Sequence, residues 1–161
     1  MKTAELKSGV IAGFKGIGKT SLYLSVKGRD LTTTLIDVSI DDYKDKPDFP
    51  NNYINKIKEC TAKYAVILVD ASPIVLDAMT DNGIFYSIIY PDITSMKNYL
   101  QRFNQDITKS MSEDEFKAVY EHIEKDKHPK IKMNGEDVFI TKELADMTLV
   151  RMMRYFQNFR G

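Results

Sequence analysis

The residues best suited to chemistry lie near the amino terminus, where residues 13–20 read GFKGIGKT and fit the spacing G-x-x-x-x-G-K-[ST]. Glycines at these positions let the backbone adopt positive φ and approach a ligand, so that successive amides converge on phosphate oxygens. Lys19 would reach the terminal phosphates, and the Thr20 hydroxyl would occupy one coordination position of Mg²⁺. A glycine turn with Lys19 in solvent is the alternative. The pattern predicts a site for ATP and Mg²⁺ whose cofactor contacts come from Gly13, Phe14, Lys15, Gly16, Ile17, Gly18, Lys19, Thr20 and Ser21.

A carboxylate at the end of a neighbouring strand usually holds Mg²⁺ or its water in such a site. Asp70 ends the apolar run AVILVD at 65–70 and is the first candidate, both as metal ligand and in catalysis. Asp37, which follows the apolar residues of the run 33–39, is the second. Asp70 has an alternative role, because it also lies where it would help to cap the helix that Ser72 begins. The sequence leaves both roles open.

A second ligand has a candidate segment at about 39–58, which is polar, stiffened by proline and aromatic. We expect Phe49 and Tyr53 to stack on a base, and Lys44 or Lys46 to meet a phosphate. An ordinary surface loop leading into a helix is the alternative. The residues assigned to the substrate are Asp37, Ser39, Phe49, Asn52 and Tyr53, with Asn52 either reading the edge of the base or fixing the loop.

The elements that must position these residues alternate along the chain. Apolar runs of strand length occur at 9–14, 33–39, 65–70 and 85–90, with a weaker one at 130–133. One helix is predicted directly after the glycine-rich loop, and further helix patterns occur at 51–63, 72–82, 94–104, 112–126 and 141–159. Nearly unbroken apolar strands separated by helices are typical of a parallel sheet covered on both faces. We therefore predict an α/β fold with an open, doubly wound, mainly parallel five-stranded sheet and sites at the carboxyl ends of its strands.

Composition limits the partners and the compartment. The 161 residues carry 23 Lys plus Arg and 23 Asp plus Glu, so no global positive field attracts duplex nucleic acid or an acidic membrane. The single cysteine, Cys60, indicates a reducing compartment. No stretch approaches the ~18 apolar residues of a membrane span, and no apolar signal segment follows the first lysines. We expect one cytoplasmic domain over 1–161.

Missing motifs narrow the class of nucleotide-binding protein. Guanine-specific switches need an N/T-K-x-D motif and a D-x-x-G motif, and neither occurs in the chain. Ring-forming motors need more chain for a lid domain. A small phosphotransferase remains, in which positioning and charge neutralisation supply catalysis. The chain has only five arginines, so an ATP-binding regulatory or interaction module with little turnover stays open, and a polynucleotide 5′-kinase is a more distant alternative.

The chain resembles a family of small phage-encoded P-loop proteins described as adenylate kinase-like or nucleotide kinase-like. The residues that carry the resemblance are GFKGIGKT at 13–20, PDFPNNYINKIK at 47–58, AVILVDASPIVLDAM at 65–79 and GIFYSIIYPDITSMKNYLQRFN at 83–104. The resemblance implies a P-loop NTPase of the nucleoside monophosphate kinase type, with ATP as donor and a nucleotide as acceptor in a host bacterial cytoplasm. It also implies a lid-like segment at about 104–112, bordered by Arg102, which would act in catalysis with Lys19 and Asp70.

Overall fold

The computed structural model describes residues 9–17, 35–64, 66–105 and 110–133. Five strands and four α-helices lie in these ranges. The strands are β1 (Gly9–Gly13), β2 (Leu35–Asp37), β3 (Val66–Asp70), β4 (Tyr86–Pro91) and β5 (Lys130–Met133). The helices are α1 (Asn51–Thr61), α2 (Pro73–Asp81), α3 (Met96–Phe103) and α4 (Glu113–Lys125). The helix predicted directly after the glycine-rich loop and the one at 141–159 lie outside the described residues.

The strands form one sheet in the order β2-β3-β1-β4-β5, and every neighbouring pair is parallel. All residues of β1, β3 and β4 are buried, which is why their sequences are almost unbroken apolar runs. The predicted α/β fold with a five-stranded parallel sheet is confirmed. The strand that follows β1 in the sequence is β2, which lies beyond β3 at one edge of the sheet. The strand that follows β3 is β4, which lies on the opposite side of β1. The strand order therefore reverses between β1 and β3, where open α/β sheets bind ligands.

Local signals define the ends of the helices. The Ser112 hydroxyl accepts a hydrogen bond from the Glu115 amide at 3.1 Å, as the capping pattern predicts for the start of α4. Ser72 occupies the N-cap position of α2 without a capping hydrogen bond from its side chain, and Pro73 lies in the first turn. Gly83 follows the helix with φ of 69°. The predicted helix at 94–104 is α-helical only from Met96, because a 3-10 turn occupies Ile93–Ser95. Its apolar stripe is buried as predicted.

Aromatic packing joins the end of β1 to two helices. The Phe14 ring lies 5.5 Å from the ring of Tyr99 on α3 and 4.9 Å from that of Phe116 on α4, measured between centroids. Tyr99 and Phe116 also contact each other, at 5.8 Å. These buried rings set where α3 and α4 lie relative to the loop that leaves β1. Within the described ranges, no helix has the length and apolar character needed to cross a membrane.

Candidate functional site

The candidate site lies at the carboxyl ends of β1 and β3. Gly13, the last residue of β1, is in register with Asp70, the last residue of β3. The start of the glycine-rich loop and the predicted carboxylate are therefore neighbours on adjacent strands. The rest of the predicted phosphate and metal contacts, Gly18, Lys19, Thr20 and Ser21, lie outside the described residues.

Residues 14–17 form a tight turn anchored in the core. The Phe14 amide donates to the Ile89 carbonyl at 2.9 Å, and the Ile17 amide donates to the Phe14 carbonyl at 3.0 Å. Both side chains are fully buried. Two of the predicted cofactor contacts, Phe14 and Ile17, thus have their amides and side chains committed to the fold. Lys15 and Gly16 are the exposed part of the turn, and Gly16 has the left-handed φ of 83° that favours glycine.

Helix α3 packs on this turn. The Tyr99 hydroxyl donates a hydrogen bond to the Lys15 carbonyl, and burial raises the pKa of that phenol far above its ordinary value. The Phe103 ring lies so close to Gly16 that a Cβ atom there would be 2.5 Å from the ring. The Arg102 guanidinium lies 5.2 Å from the centroid of the Tyr99 ring. Arg102 therefore lies over the ring whose hydroxyl is bonded to the turn.

Asp70 is almost buried, with 8% of its surface exposed. One carboxylate oxygen accepts a hydrogen bond from the Ser72 amide at 2.8 Å, so Asp70 supports the start of α2. The capping alternative is thus confirmed for this oxygen, and the metal role stays a prediction. No group of three or more His, Cys, Asp or Glu side chains in the described ranges could hold a metal ion. A single carboxylate fits Mg²⁺, because that ion is usually held by one or two carboxylates, waters and substrate phosphates.

The prediction that Tyr53 stacks on a base is wrong. Its side chain is fully buried, and its ring packs against Tyr43 and Phe49 at centroid distances of 5.4 and 6.4 Å. Its hydroxyl donates to the Val38 carbonyl at 2.6 Å and accepts from the Asp70 amide at 3.0 Å. Burial raises the pKa of Tyr53 well above its ordinary value, so the hydroxyl keeps the proton that it donates. Tyr53 is a structural link between the ends of β2 and β3.

The other predicted substrate residues mainly shape the loop after β2. Asn52 donates from its side-chain amide to the Tyr43 carbonyl at 3.2 Å, and its carbonyl oxygen accepts from the Tyr53 amide at 2.7 Å. The loop-fixing alternative for Asn52 is therefore the one that the structure shows. The Ser39 hydroxyl accepts from the Asp41 amide at 3.3 Å and caps a 3-10 turn. Two further predicted residues, Asp37 and Phe49, are half-buried.

A cleft of about 320 Å³ opens beside Asp70. Ile40, Met111 and Val119 supply apolar wall, while Asp41 and Glu115 are acidic lining residues that the sequence did not predict for the site. The basic residues among the described lining are Lys15 and Lys44. The Lys44 ammonium lies 3.1 Å from Asp41, whose hydrogen bond and charge raise the pKa of that lysine. The five predicted substrate residues are not among the described residues that line this cleft.

Met111 reaches the cleft wall because its backbone is tied to the end of α3. The Asn104 side chain donates to the Met111 carbonyl at 3.1 Å and accepts from the Met111 amide at 2.9 Å. These two bonds close the base of the predicted lid-like segment, of which residues 106–109 lie outside the described part of the chain. Glu115 and Val119 reach the cleft from α4. The capping box revealed where α4 starts, but no sequence signal showed which of its side chains would face the cleft.

Comparison with known proteins gives a likeness in fold. No family model and no curated protein matches the chain. The SH3-kinase fragment of tight junction protein 3, a crystal structure in apo-form, is similar over 96% of this chain with a TM-score of 0.51 and 11% sequence identity. This chain spans 59% of the length of that fragment. A solution structure of a de novo designed PLOOP2X3_50 fold protein matches 94% of this chain and 92% of its own, with a TM-score of 0.44 and 14% identity. The first likeness concerns the fold alone, and the second is too distant to support a conclusion.

Proposed function

We propose that the protein is an ATP- and Mg²⁺-dependent phosphotransferase of the nucleoside or deoxynucleoside monophosphate kinase type. The observation that carries the proposal is the position of the motif G-x-x-x-x-G-K-[ST]. It begins at Gly13, the last residue of a buried central strand, and Gly13 is in register with the carboxylate residue Asp70 on the adjacent strand. A strand leading into this motif is the context in which it binds phosphate.

The donor site is assigned to the turn and to the residues that follow it. The exposed backbone at Lys15 and Gly16 supports the phosphate chain, and Lys19 neutralises the charge of the migrating phosphoryl group. Thr20 and Asp70 hold Mg²⁺, which supplies further charge neutralisation on the phosphates when bound. Phosphoryl transfer needs mainly positioning and electrostatic stabilisation, which are the contributions these residue types can make.

The acceptor is assigned to the cleft beside Asp70. Its volume of about 320 Å³ is at the small end of the range for small-molecule pockets, and it lies where the strand order reverses. Ile40 and Met111 offer apolar surface to a base, in place of the buried Tyr53. Lys44 supplies a positive charge for the acceptor phosphate.

The test is a transfer assay with ATP, Mg²⁺ and a panel of ribonucleoside and deoxyribonucleoside monophosphates, in which ADP and product are separated by chromatography. We expect at least one monophosphate to accelerate ADP formation. Lys19→Ala should reduce that rate by about 10³-fold or more, because a charge-stabilising group is lost. Lys63→Ala is the matched control, since Lys63 is exposed just after α1. Turnover that survives Lys19→Ala would refute the donor-site assignment.

An ATP-binding regulatory module is the second candidate, and the shortage of arginine favours it. The chain has five arginines, and the basic residues among the described cleft residues are both lysines. A guanidinium holds phosphate through two parallel bonds, whereas an ammonium acts as a point charge. ATP binding without acceptor-dependent ADP formation would favour this candidate. Transfer to a 5′-hydroxyl oligonucleotide in the same assay would instead indicate a polynucleotide kinase.

A further inference from the structure

The hydrogen-bond ladder between β2 and β3 is interrupted at the edge of the site. The Val38 amide donates to the Leu68 carbonyl at 2.9 Å, which continues the parallel ladder one residue beyond β2. In an uninterrupted parallel ladder, the Val38 carbonyl would next accept from the Asp70 amide. The Tyr53 hydroxyl lies between these two groups instead, donating to Val38 at 2.6 Å and accepting from Asp70 at 3.0 Å. A side chain from α1 has replaced one backbone bond.

The inserted hydroxyl separates the backbone segments that continue β2 and β3, at the place where the cleft begins. Two hydrogen bonds in series replace one, so the backbone after Val38 no longer pairs directly with Asp70. The segment after β2 contributes Ile40 to the lining of the cleft, and the segment after β3 contributes Ala71 to the same lining. The inserted hydroxyl therefore lies at the point where the sheet divides.

Both the backbone and the side chain of Asp70 are held at this point. Its amide donates to the Tyr53 hydroxyl at 3.0 Å, and its carboxylate accepts from the Ser72 amide at 2.8 Å. The Tyr53 ring has little room to move, because it is fully buried and packs against the rings of Tyr43 and Phe49. The backbone that carries this carboxylate is thus hydrogen-bonded to a side chain 17 residues away in the sequence.

We propose that Tyr53 is a positioning residue whose inserted hydroxyl keeps the ends of β2 and β3 apart and orients the Asp70 carboxylate toward Mg²⁺. The inference rests on the proposed function, since it assumes that Asp70 holds the metal of a bound nucleotide. Partners that orient a metal ligand typically change metal affinity by about 10–100-fold when they are removed. Removing the hydroxyl should therefore weaken the cooperation between Mg²⁺ and ATP more than it weakens the binding of ATP itself.

The experiment compares Tyr53→Phe with wild type by isothermal titration of ATP, with Mg²⁺ and with EDTA. We expect Mg²⁺ to tighten ATP binding in the wild type and this tightening to fall by about tenfold in Tyr53→Phe, with the affinity in EDTA little changed. Tyr86→Phe is the matched control. Tyr86 is also fully buried and its hydroxyl also makes hydrogen bonds, but it is the first residue of β4 and so lies at the amino-terminal ends of the strands, opposite the site. It should keep the wild-type tightening.

The outcomes separate the inference from the proposed function. If Tyr53→Phe keeps the Mg²⁺ effect, or if both variants lose it equally, the positioning role is refuted while ATP binding stands. If the wild type binds no ATP, the proposed function fails and the positioning role fails with it. Amide hydrogen exchange of the wild type tests the inserted hydroxyl without any variant. The Asp70 amide should exchange as slowly as the amides in the centre of β3, and rapid exchange there would overturn the inference.

Discussion

Replacing Gly16 by alanine tests whether α3 packs on the glycine-rich turn as the structure shows. Two costs are expected at this position. Gly16 has φ of 83°, and a Cβ atom there would lie 2.5 and 2.8 Å from two atoms of the Phe103 ring. Gly83 is a natural control, because its φ is 69° but a Cβ atom would meet nothing within 4 Å. Gly83→Ala should therefore lose stability only through the unfavourable backbone conformation.

The two costs can be given magnitudes. The left-handed conformation costs an alanine about 1–2 kcal/mol, and this applies to both glycines. Overpacking a filled site costs about 1–3 kcal/mol more, and it applies only to Gly16. The Phe103 ring cannot yield cheaply, because it is 8% exposed and belongs to the core. We expect Gly16→Ala to lower the free energy of unfolding by about 2–5 kcal/mol and Gly83→Ala by about 1–2 kcal/mol.

Urea denaturation followed by circular dichroism measures both variants under the same conditions. Phe103→Leu should partly rescue Gly16→Ala, because the smaller side chain removes the ring atoms that the new methyl group meets. The double variant should then be more stable than the sum of the two single effects predicts. Equal destabilisation by Gly16→Ala and Gly83→Ala, or strict additivity with Phe103→Leu, would show that α3 does not pack on the turn in solution.

Two further predictions concern the stability of the fold. Ser112→Ala removes the cap of α4 and should cost about 1 kcal/mol in urea denaturation, whereas exposed Ser110 should tolerate alanine with almost no change. Burial alone would raise the pKa of Asp126, but hydrogen bonds from Tyr86 and His128 outweigh it and lower that pKa below the ordinary 3.8. The stability from Asp126 is therefore present above about pH 4 and is lost as the pH falls through the lowered pKa. Asp126→Asn should be less stable than wild type at pH 7, and this difference should shrink in acid; a difference independent of pH would contradict the assignment.

Element types were predictable wherever they depend on neighbouring residues. The run AVILVD has no polar alternation, and such a run is typical of a strand buried on both faces, as β3 is. The spacing of Ser112 and Glu115 predicted the start of α4, because capping involves only residues within one helical turn. The boundaries were less accurate. The second strand covers only Leu35–Asp37 of the predicted 33–39, and its preceding residues lie outside the described part of the chain.

The site was predictable in part. The motif and Asp70 were expected at the carboxyl edge of the sheet, and the register of Gly13 with Asp70 brings them together there. The role of Tyr53 was not predictable, because a tyrosine in a polar segment rich in proline resembles a surface residue. Its burial depends on partners 15 and 17 residues away, Val38 and Asp70, whose proximity results from strand pairing. The cleft residues Met111 and Glu115 were missed for the same reason.

Within the described part of the chain, the sequence by itself determined which segments form strands and helices and where two of the helices begin, and it showed that a phosphate-binding pattern follows the first strand. These properties depend on periodicity and capping over a few neighbouring residues, so they can be derived without knowing the fold. Only the tertiary structure decided that Phe103 of α3 packs against Gly16 and that a tyrosine hydroxyl lies between the ends of β2 and β3. These contacts join residues far apart in the chain, and they depend on strand order, register and the packing of the core, which no local pattern specifies.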